Sequence, residues 1–433
     1  MALTGALLLT SAPVASADQV RDAQWPLTVY NAEKVWKISQ GAGVTVAVVD
    51  SGVDSSQPDL TGQVLPGKDF TGAGDPHKDT DGHGTAMASI IGGHGHGVND
   101  SAGVMGLAPK AKILPVKVSY KNTATWAAGI RYAVDQGASV INLSFGDSGG
   151  YPGSKGAEAI AYAQEHDVVL VSATGNDSGT VTYPAALPGV VAVSGVDKDL
   201  SFWSDSNTGK VTVAAPGVEL AQVDPNTKSG YSVANGTSGA SAYVSAIAAL
   251  LRSKYPDLTA GQIINRLVKS ASFLNNKGKT APDKELGYGI ARPGSALTMN
   301  IPKGSKEGPL AKASPSTSTE SGAASAGNDN PSQAKEKKDS SSGGILLIAG
   351  IAAAVVVIGG IVFAVIRSRR NRGNGGPGDG GGIPPHGTGY PPQPPTGYQP
   401  YPNTPPNPGY PTPPGQSPPH PNPYAQQPPH QGQ

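Results

Sequence analysis

Five short apolar runs spread over residues 41–300 limit what this chain can fold into more than any other feature of it. Val44–Val49, Ile113–Val118, Val140–Leu143, Val168–Val171 and Val190–Val193 are rich in β-branched residues and nearly free of polar ones. A sheet with one wet face would alternate apolar and polar. Continuous runs belong instead to strands covered on both faces, as in a parallel sheet. Helix-compatible stretches lie between them, including Thr123–Gln136, Ser154–His166 and Thr237–Lys254. Strand–helix alternation needs right-handed crossovers and predicts a three-layer α/β domain with a mainly parallel central sheet. Thr259 with Gln262 makes a capping box that starts a last helix, running to about Val268.

The rest of the chain is of a different character. Its 59 glycines and 40 prolines gather towards the C-terminus, which leaves the globular body to roughly the first 300 residues. A net charge of +1 gives no electrostatic footprint for nucleic acid. The absence of cysteine removes disulfides, thiolate zinc sites and cysteine nucleophiles. Residues 3–12 are apolar but too short to span a bilayer, and Ala15-Ser16-Ala17 follows as a small-x-small site. We read 1–17 as a signal peptide cleaved before Asp18. No Lys or Arg precedes the apolar run, so a non-secretory apolar N-terminus is the alternative.

Gly344–Ile366 carries no charge and is long enough for a transmembrane helix. Arg367, Arg369, Arg370 and Arg372 follow it, so the positive-inside rule puts the C-terminal tail in the cytoplasm and residues 18–300 outside. Residues 301–343 read as a flexible polar stalk. Beyond the basic cluster the tail, part of 367–433, reads as Pro/Gly/Tyr-rich disorder.

Three segments place a reactive group beside glycine at a strand end or a helix start. Asp50 ends the run Val48-Val49 and precedes Ser51-Gly52. His83 lies in Asp81-Gly82-His83-Gly84-Thr85, and Ser238 in Asn235-Gly236-Thr237-Ser238-Gly239 ahead of a long apolar helix. Each has a plain structural reading. An Asp after a strand is common turn chemistry, a lone His is more often structural than reactive, and Gly-Thr-Ser is ordinary N-capping. Their order argues otherwise. Asp, then His, then Ser is the order of subtilisin among serine peptidases. At a helix N-terminus, the Ser238 N–H and the helix dipole can also stabilise an oxyanion.

Their separations and the segments between them resemble the subtilase family over about residues 24–297. Gly106–Pro109 leading to Ile113–Val116 looks like the family's strand after the His-bearing helix. Asn142–Gly146 looks like its substrate-pairing strand, Ser172–Asn176 like its oxyanion segment and Tyr183-Pro184 like the turn under its specificity pocket. The resemblance implies a serine endopeptidase in which Asp50, His83, Ser238 and Asn176 are catalytic. It implies that Ser144, Phe145 and Gly146 pair with an extended polypeptide substrate. Thr182 stands where glycine is common at the pocket floor, implying a restricted site. Gly239 and Ala242 stand where many subtilases have Met and Pro. Val98–Val104 resembles a calcium-binding loop, with Asp59 placed as a carboxylate ligand, while His94 and His96 read as loop residues. We assign no metal and no cofactor.

The stretch from Asp18 to Asp50 is too short for an inhibitory propeptide domain. Signal peptide, short lead with Trp25, Tyr30 and Trp36, subtilase domain, stalk, single helix and Arg cluster together resemble the mycosins, membrane-anchored subtilases of type VII secretion. That resemblance implies a secretion complex in the membrane as partner and exported proteins as substrates. The rival expectation is a scaffold on a subtilase fold that stabilises such a complex whether or not it cleaves. A third is an esterase with the same triad.

Overall fold

The chain was analysed as a computed structural model, which describes residues 15–72, 74–146 and 151–310. In chain order the elements are α1 (Ala15–Asp22), α2 (Trp25–Val29), α3 (Ala32–Trp36), β1 (Thr45–Asp50), β2 (Lys68–Asp69), α4 (His83–Gly92), β3 (His94–His96) and β4 (Ala102–Met105). There follow β5 (Lys112–Lys117), α5 (Thr123–Asp135), β6 (Val140–Leu143), α6 (Lys155–Glu165), β7 (Val169–Ala173), β8 (Val191–Val196) and β9 (Val213–Pro216). Last come β10 (Leu220–Val223), β11 (Tyr231–Ala234), α7 (Thr237–Lys254), α8 (Ala260–Ser270) and α9 (Pro293–Thr298).

The five apolar runs become β1, β5, β6, β7 and β8, in a seven-stranded sheet of order β2-β5-β1-β6-β7-β8-β9 whose pairings are all parallel. Period-two geometry divides each strand between two cores. Val46 and Val48 of β1 pack with α4 and α7, whereas Ala47 and Val49 pack with α5 and its fully buried Trp126. Leu170 and Val171 of β7 divide the same way. Three layers therefore follow from unbroken apolar runs, as expected. The Thr259 side chain accepts from Gln262 N and the Gln262 side chain accepts from Thr259 N, completing the capping box of α8. That helix extends two residues past Val268.

Several elements escaped the sequence reading. The edge strand β2 is two residues, Lys68 and Asp69, with no apolar signal. The hairpin β10–β11 is antiparallel and mixed in polarity. The lead folds as short helices strapped to the domain by side chains: Trp25 Nε1 donates to Val218 O, Trp36 Nε1 to Leu107 O, and the Gln24 amide pairs with both backbone groups of Met105. Helix α1 runs across the expected cleavage point before Asp18.

The first residues of the expected stalk are bonded to the domain. Thr259 Oγ1 donates to Lys306 O, Asn265 Nδ2 to Pro302 O and Gln262 Nε2 to Gly304 O, so residues 301–310 lie along α8. Most of the expected leader, the remainder of the stalk, the membrane helix 344–366 and the tail 367–433 lie outside the described residues. Among the described residues no helix is long and apolar enough to cross a membrane.

Candidate active site

The chain runs from β1 outward to β5 on one side and to β6 on the other, so β1 is a switch point of the sheet. In open α/β sheets the crevice at the carboxyl ends of strands beside such a point is where ligands bind. Asp50 is the last residue of β1, Ser144 follows β6, and Thr174–Asn176 follow β7. Helix α7 crosses beneath the sheet and brings its N-terminus, with Ser238, to the same end.

Asp50 is fully buried. Its Oδ1 accepts from His83 Nδ1 at 2.8 Å and from Ser51 N at 2.8 Å. A carboxylate only accepts, so Nδ1 carries the hydrogen and Nε2 is left with the lone pair a general base needs. Asp50 Oδ2 is buried without a hydrogen-bond partner among the described residues.

His83 opens α4. Its position is set by Asp79, whose Oδ1 accepts from Gly82 N and whose Oδ2 accepts from Thr85 N and Thr85 Oγ1. Ser51 Oγ accepts from Gly84 N and ties the helix start to the end of β1. Glycine at 84 is required by close approach, because a Cβ there would stand 2.1 Å from Gly52 O. Burial pulls the His83 pKa down. The charge and hydrogen bond of Asp50, with the charges of Asp81 and Asp79, outweigh it and push the imidazole up to about 9.

Ser238 lies in the first turn of α7 and donates its hydroxyl to Ser144 O at 3.0 Å. Among the described residues its hydrogen bond goes to that carbonyl and not to His83. Beneath it a buried network stitches β6 to α7. Ser144 Oγ donates to Ser238 O, Asn142 Nδ2 donates to Ser144 Oγ, and Ser241 and Ser245 hydroxyls donate to Asn142 Oδ1. Asn142 was not singled out from sequence as a support.

Asn176 is oriented by chemistry rather than by choice. Its side chain receives the Thr237 N–H at 2.9 Å and the Thr237 hydroxyl at 2.7 Å, and only Oδ1 can accept an N–H. Nδ2 is thereby aimed away from Thr237. A Cβ built on Gly236 would lie 3.6 Å from both Asn176 Nδ2 and Ser238 N, so the two donors lie close to one another. Asn207, also missed from sequence, holds this loop by accepting from Asp177 N and Gly179 N.

The remaining expected residues divide. Gly146 is exposed, and a Cβ on it would stand 2.3 Å from Thr182 Oγ1, so the Thr182 hydroxyl lies directly against it. The Phe145 ring is buried against Trp126 and Tyr120, and the Ser144 side chain is buried in the network. Their side chains support the strand, and only their backbone can meet a substrate. The two departures from the usual pattern have a local reason. A Cβ on Gly239 would lie 2.3 Å from Leu220 Cδ1, and Ala242 is fully buried.

The loop that resembles a calcium site already holds a cation of the chain's own. The Arg21 guanidinium occupies it, donating to Gly103 O at 3.0 Å and to Asp100 O and Ala102 O at 3.1 Å each. His96 Nδ1 pairs with Asp59 Oδ1, so the carboxylate is engaged as well.

A parallel α/β sheet with Asp, His and Ser brought in that order to the carboxyl ends of its strands defines the class of subtilisin-like serine hydrolases. The subtilase model of peptidase family S8 matches residues 41–289, and the chain belongs to this family of serine endopeptidases. Thermitase of Thermoactinomyces vulgaris is 40% identical over 229 residues, spanning 52% of this chain and 80% of that protein. Among solved structures, MycP1 from Mycobacterium smegmatis aligns with a TM-score of 0.56 and 29% identity over 66% of this chain and 87% of that one. The MycP3 protease from the type VII (ESX-3) secretion system aligns with a TM-score of 0.55 and 30% identity, over 68% and 91% respectively. Its structural neighbours therefore include mycosins.

Proposed function

We propose that this chain is a membrane-anchored subtilisin-like endopeptidase that cleaves exported polypeptides outside the membrane through an acyl-enzyme, in association with a type VII secretion complex. The observation that carries the catalytic part is the pairing of a buried Asp50 with His83 Nδ1, together with two donors, Ser238 N and Asn176 Nδ2, that lie close to one another. An extended substrate would lie along the backbone of Ser144–Gly146. The Ser238 hydroxyl turns from Ser144 O towards the imidazole, gives its proton to His83 Nε2, and its oxygen attacks the peptide carbonyl carbon. The oxyanion settles between Asn176 Nδ2 and Ser238 N. Collapse breaks the C–N bond as His83 returns the proton to the departing amine. Water then attacks the ester by the same relay and frees Ser238.

The anchor rests on Gly344–Ile366 and the arginines after it, and the secretion partner rests on the likeness to MycP1 and MycP3. That likeness also favours a second reading, a structural role in such a complex alongside proteolysis. Ser238→Ala tests both. The variant loses labelling by a fluorophosphonate probe and loses peptide cleavage; retention of either overturns the assignment of the nucleophile. Secretion that survives Ser238→Ala and fails on deletion of the whole protein establishes the structural role as separate.

A further inference from the structure

Helix α1 ends beside a concave patch built from backbone oxygen. The carbonyls of Asp100, Ala102 and Gly103 all accept from one guanidinium, and the carboxylate of Asp59, buried nearby, accepts from Val104 N at 2.8 Å. Two glycines in the left-handed region let the chain wrap this closely. Gly95 has φ +73 and Gly103 has φ +75. A Cβ on Gly95 would stand 2.4 Å from Arg21 Nη2, 2.7 Å from Ala102 O and 2.8 Å from Asp100 O. A Cβ on Gly103 would stand 2.2 Å from Asp59 Oδ1. Carbonyl oxygens gathered beside a buried carboxylate, here paired with His96 as well, are the kind of ligand a hard cation takes. Nε and Nη2 of Arg21 stand in that cation's place. Burial lowers the pKa of the guanidinium, while Asp59, Asp100 and Tyr231 raise it again.

We propose that Arg21 is a built-in cation in an oxygen site otherwise suited to calcium, so that the N-terminal lead is clamped to the domain without metal, and that removing the guanidinium turns the site into one that takes a divalent cation. A guanidinium suits the role because its planar donors are fixed in direction and it keeps its charge at any physiological pH. A chain beginning at Asp18 retains Arg21, so the clamp does not depend on leader cleavage.

The test is thermal unfolding of the full-length protein and its Arg21→Ala variant in excess EDTA and in millimolar calcium. The wild type is expected to melt at the same temperature in both. The variant is expected to lose at least about 2–4 °C in EDTA. It should regain that loss with calcium and not with magnesium, which demands a tighter octahedral shell. Equal stabilisation of wild type and variant by calcium overturns the proposal, as does a variant that loses nothing in EDTA. A loss that calcium cannot recover also overturns it, leaving Arg21 a simple tether. Should the variant fail to fold, calorimetric titration of the wild type with calcium decides. Binding heat at one site refutes an already filled cage, and the absence of such heat together with a stable Arg21→Lys variant supports it.

Discussion

Asn176 offers the sharpest quantitative check, because its two ends have separate jobs. Oδ1 is engaged by Thr237 N at 2.9 Å and Thr237 Oγ1 at 2.7 Å, whereas Nδ2 is left free of Thr237 and lies near Ser238 N. Asn176→Asp keeps an oxygen for Thr237 and exchanges the donor for an acceptor. Asn176→Ala removes both ends. Loss of one oxyanion donor typically lowers kcat by about 10²–10³-fold, or roughly 3 kcal/mol of transition-state stabilisation. A carboxylate adds repulsion of about 4 kcal/mol for charges 4 Å apart at an effective dielectric of about 20. Asn176→Asp should therefore fall at least as far as Asn176→Ala, although it disturbs the fold less.

Thr237→Val separates anchoring from donation. It deletes the 2.7 Å bond and leaves the backbone N–H, so the amide is less firmly held and kcat should drop only about tenfold, the worth of one hydrogen bond. The assay is steady-state hydrolysis of a chromogenic peptide, with thermal melts to show that all three variants remain folded. KM should change little throughout, because the donor acts on charge that develops after binding. An Asn176→Asp enzyme within tenfold of wild-type kcat would refute the geometry argued for the oxyanion site.

Two further outcomes follow from the same residues. With His83 pushed up to about 9 by Asp50, Asp81 and Asp79 against its burial, kcat/KM should climb with pH to a limb near 9, since only the neutral ring accepts the Ser238 proton; Asp81→Asn should move that limb towards neutrality, and a wild-type limb already near 6.5 would contradict the electrostatics. The same shift stabilises the fold in full below about 6.5, the ordinary pKa of histidine, and that contribution is lost as pH rises through about 9. Thr182→Gly should open the floor against Gly146 and raise kcat/KM for a bulky side chain before the cleaved bond, relative to alanine there, by about tenfold; unchanged ratios across a peptide series would place the specificity floor elsewhere.

The parallel sheet was legible because strands buried on both faces must be apolar throughout, and helix α7 was read from Thr237 to Lys254 because small and apolar residues run from Thr237 to Leu251 and basic residues end its last turn. The reacting groups were legible as a set, through order and glycine context. What could not be read was support. Asp79 caps α4 from a loop with no periodicity, Asn207 reaches the Asn176 loop across the sequence, and Asn142 joins two elements about a hundred residues apart. Such contacts are long-range and satisfy backbone groups, so no local pattern announces them. The lead was the other gap. Its helices are too short to show an amphipathic period, and what fixes them is Gln24, Trp25 and Trp36 donating to distant carbonyls.

Three positions where a supporting side chain is unusual for the expected subtilase pattern lie around Asp50, His83 and Ser238 and not among them. Leu220 presses where a side chain at 239 would stand, Thr182 fills a pocket floor, and Arg21 enters an oxygen cage. Each exchange alters packing or charge at a supporting position, and each is matched by its surroundings. Leu220 against an unsubstituted Gly239 leaves no overlap, and the carbonyls facing Arg21 have the donors they need. The groups that must meet a tetrahedral intermediate admit no such trade. A second methylene of reach, or a donor replaced by an acceptor, shifts the reacting geometry by more than the roughly 0.5 Å such sites tolerate. If this division is right, a chain carrying all three departures reverted together should change in stability, metal response and side-chain preference, while its rate on a small, well-accepted peptide stays near wild type.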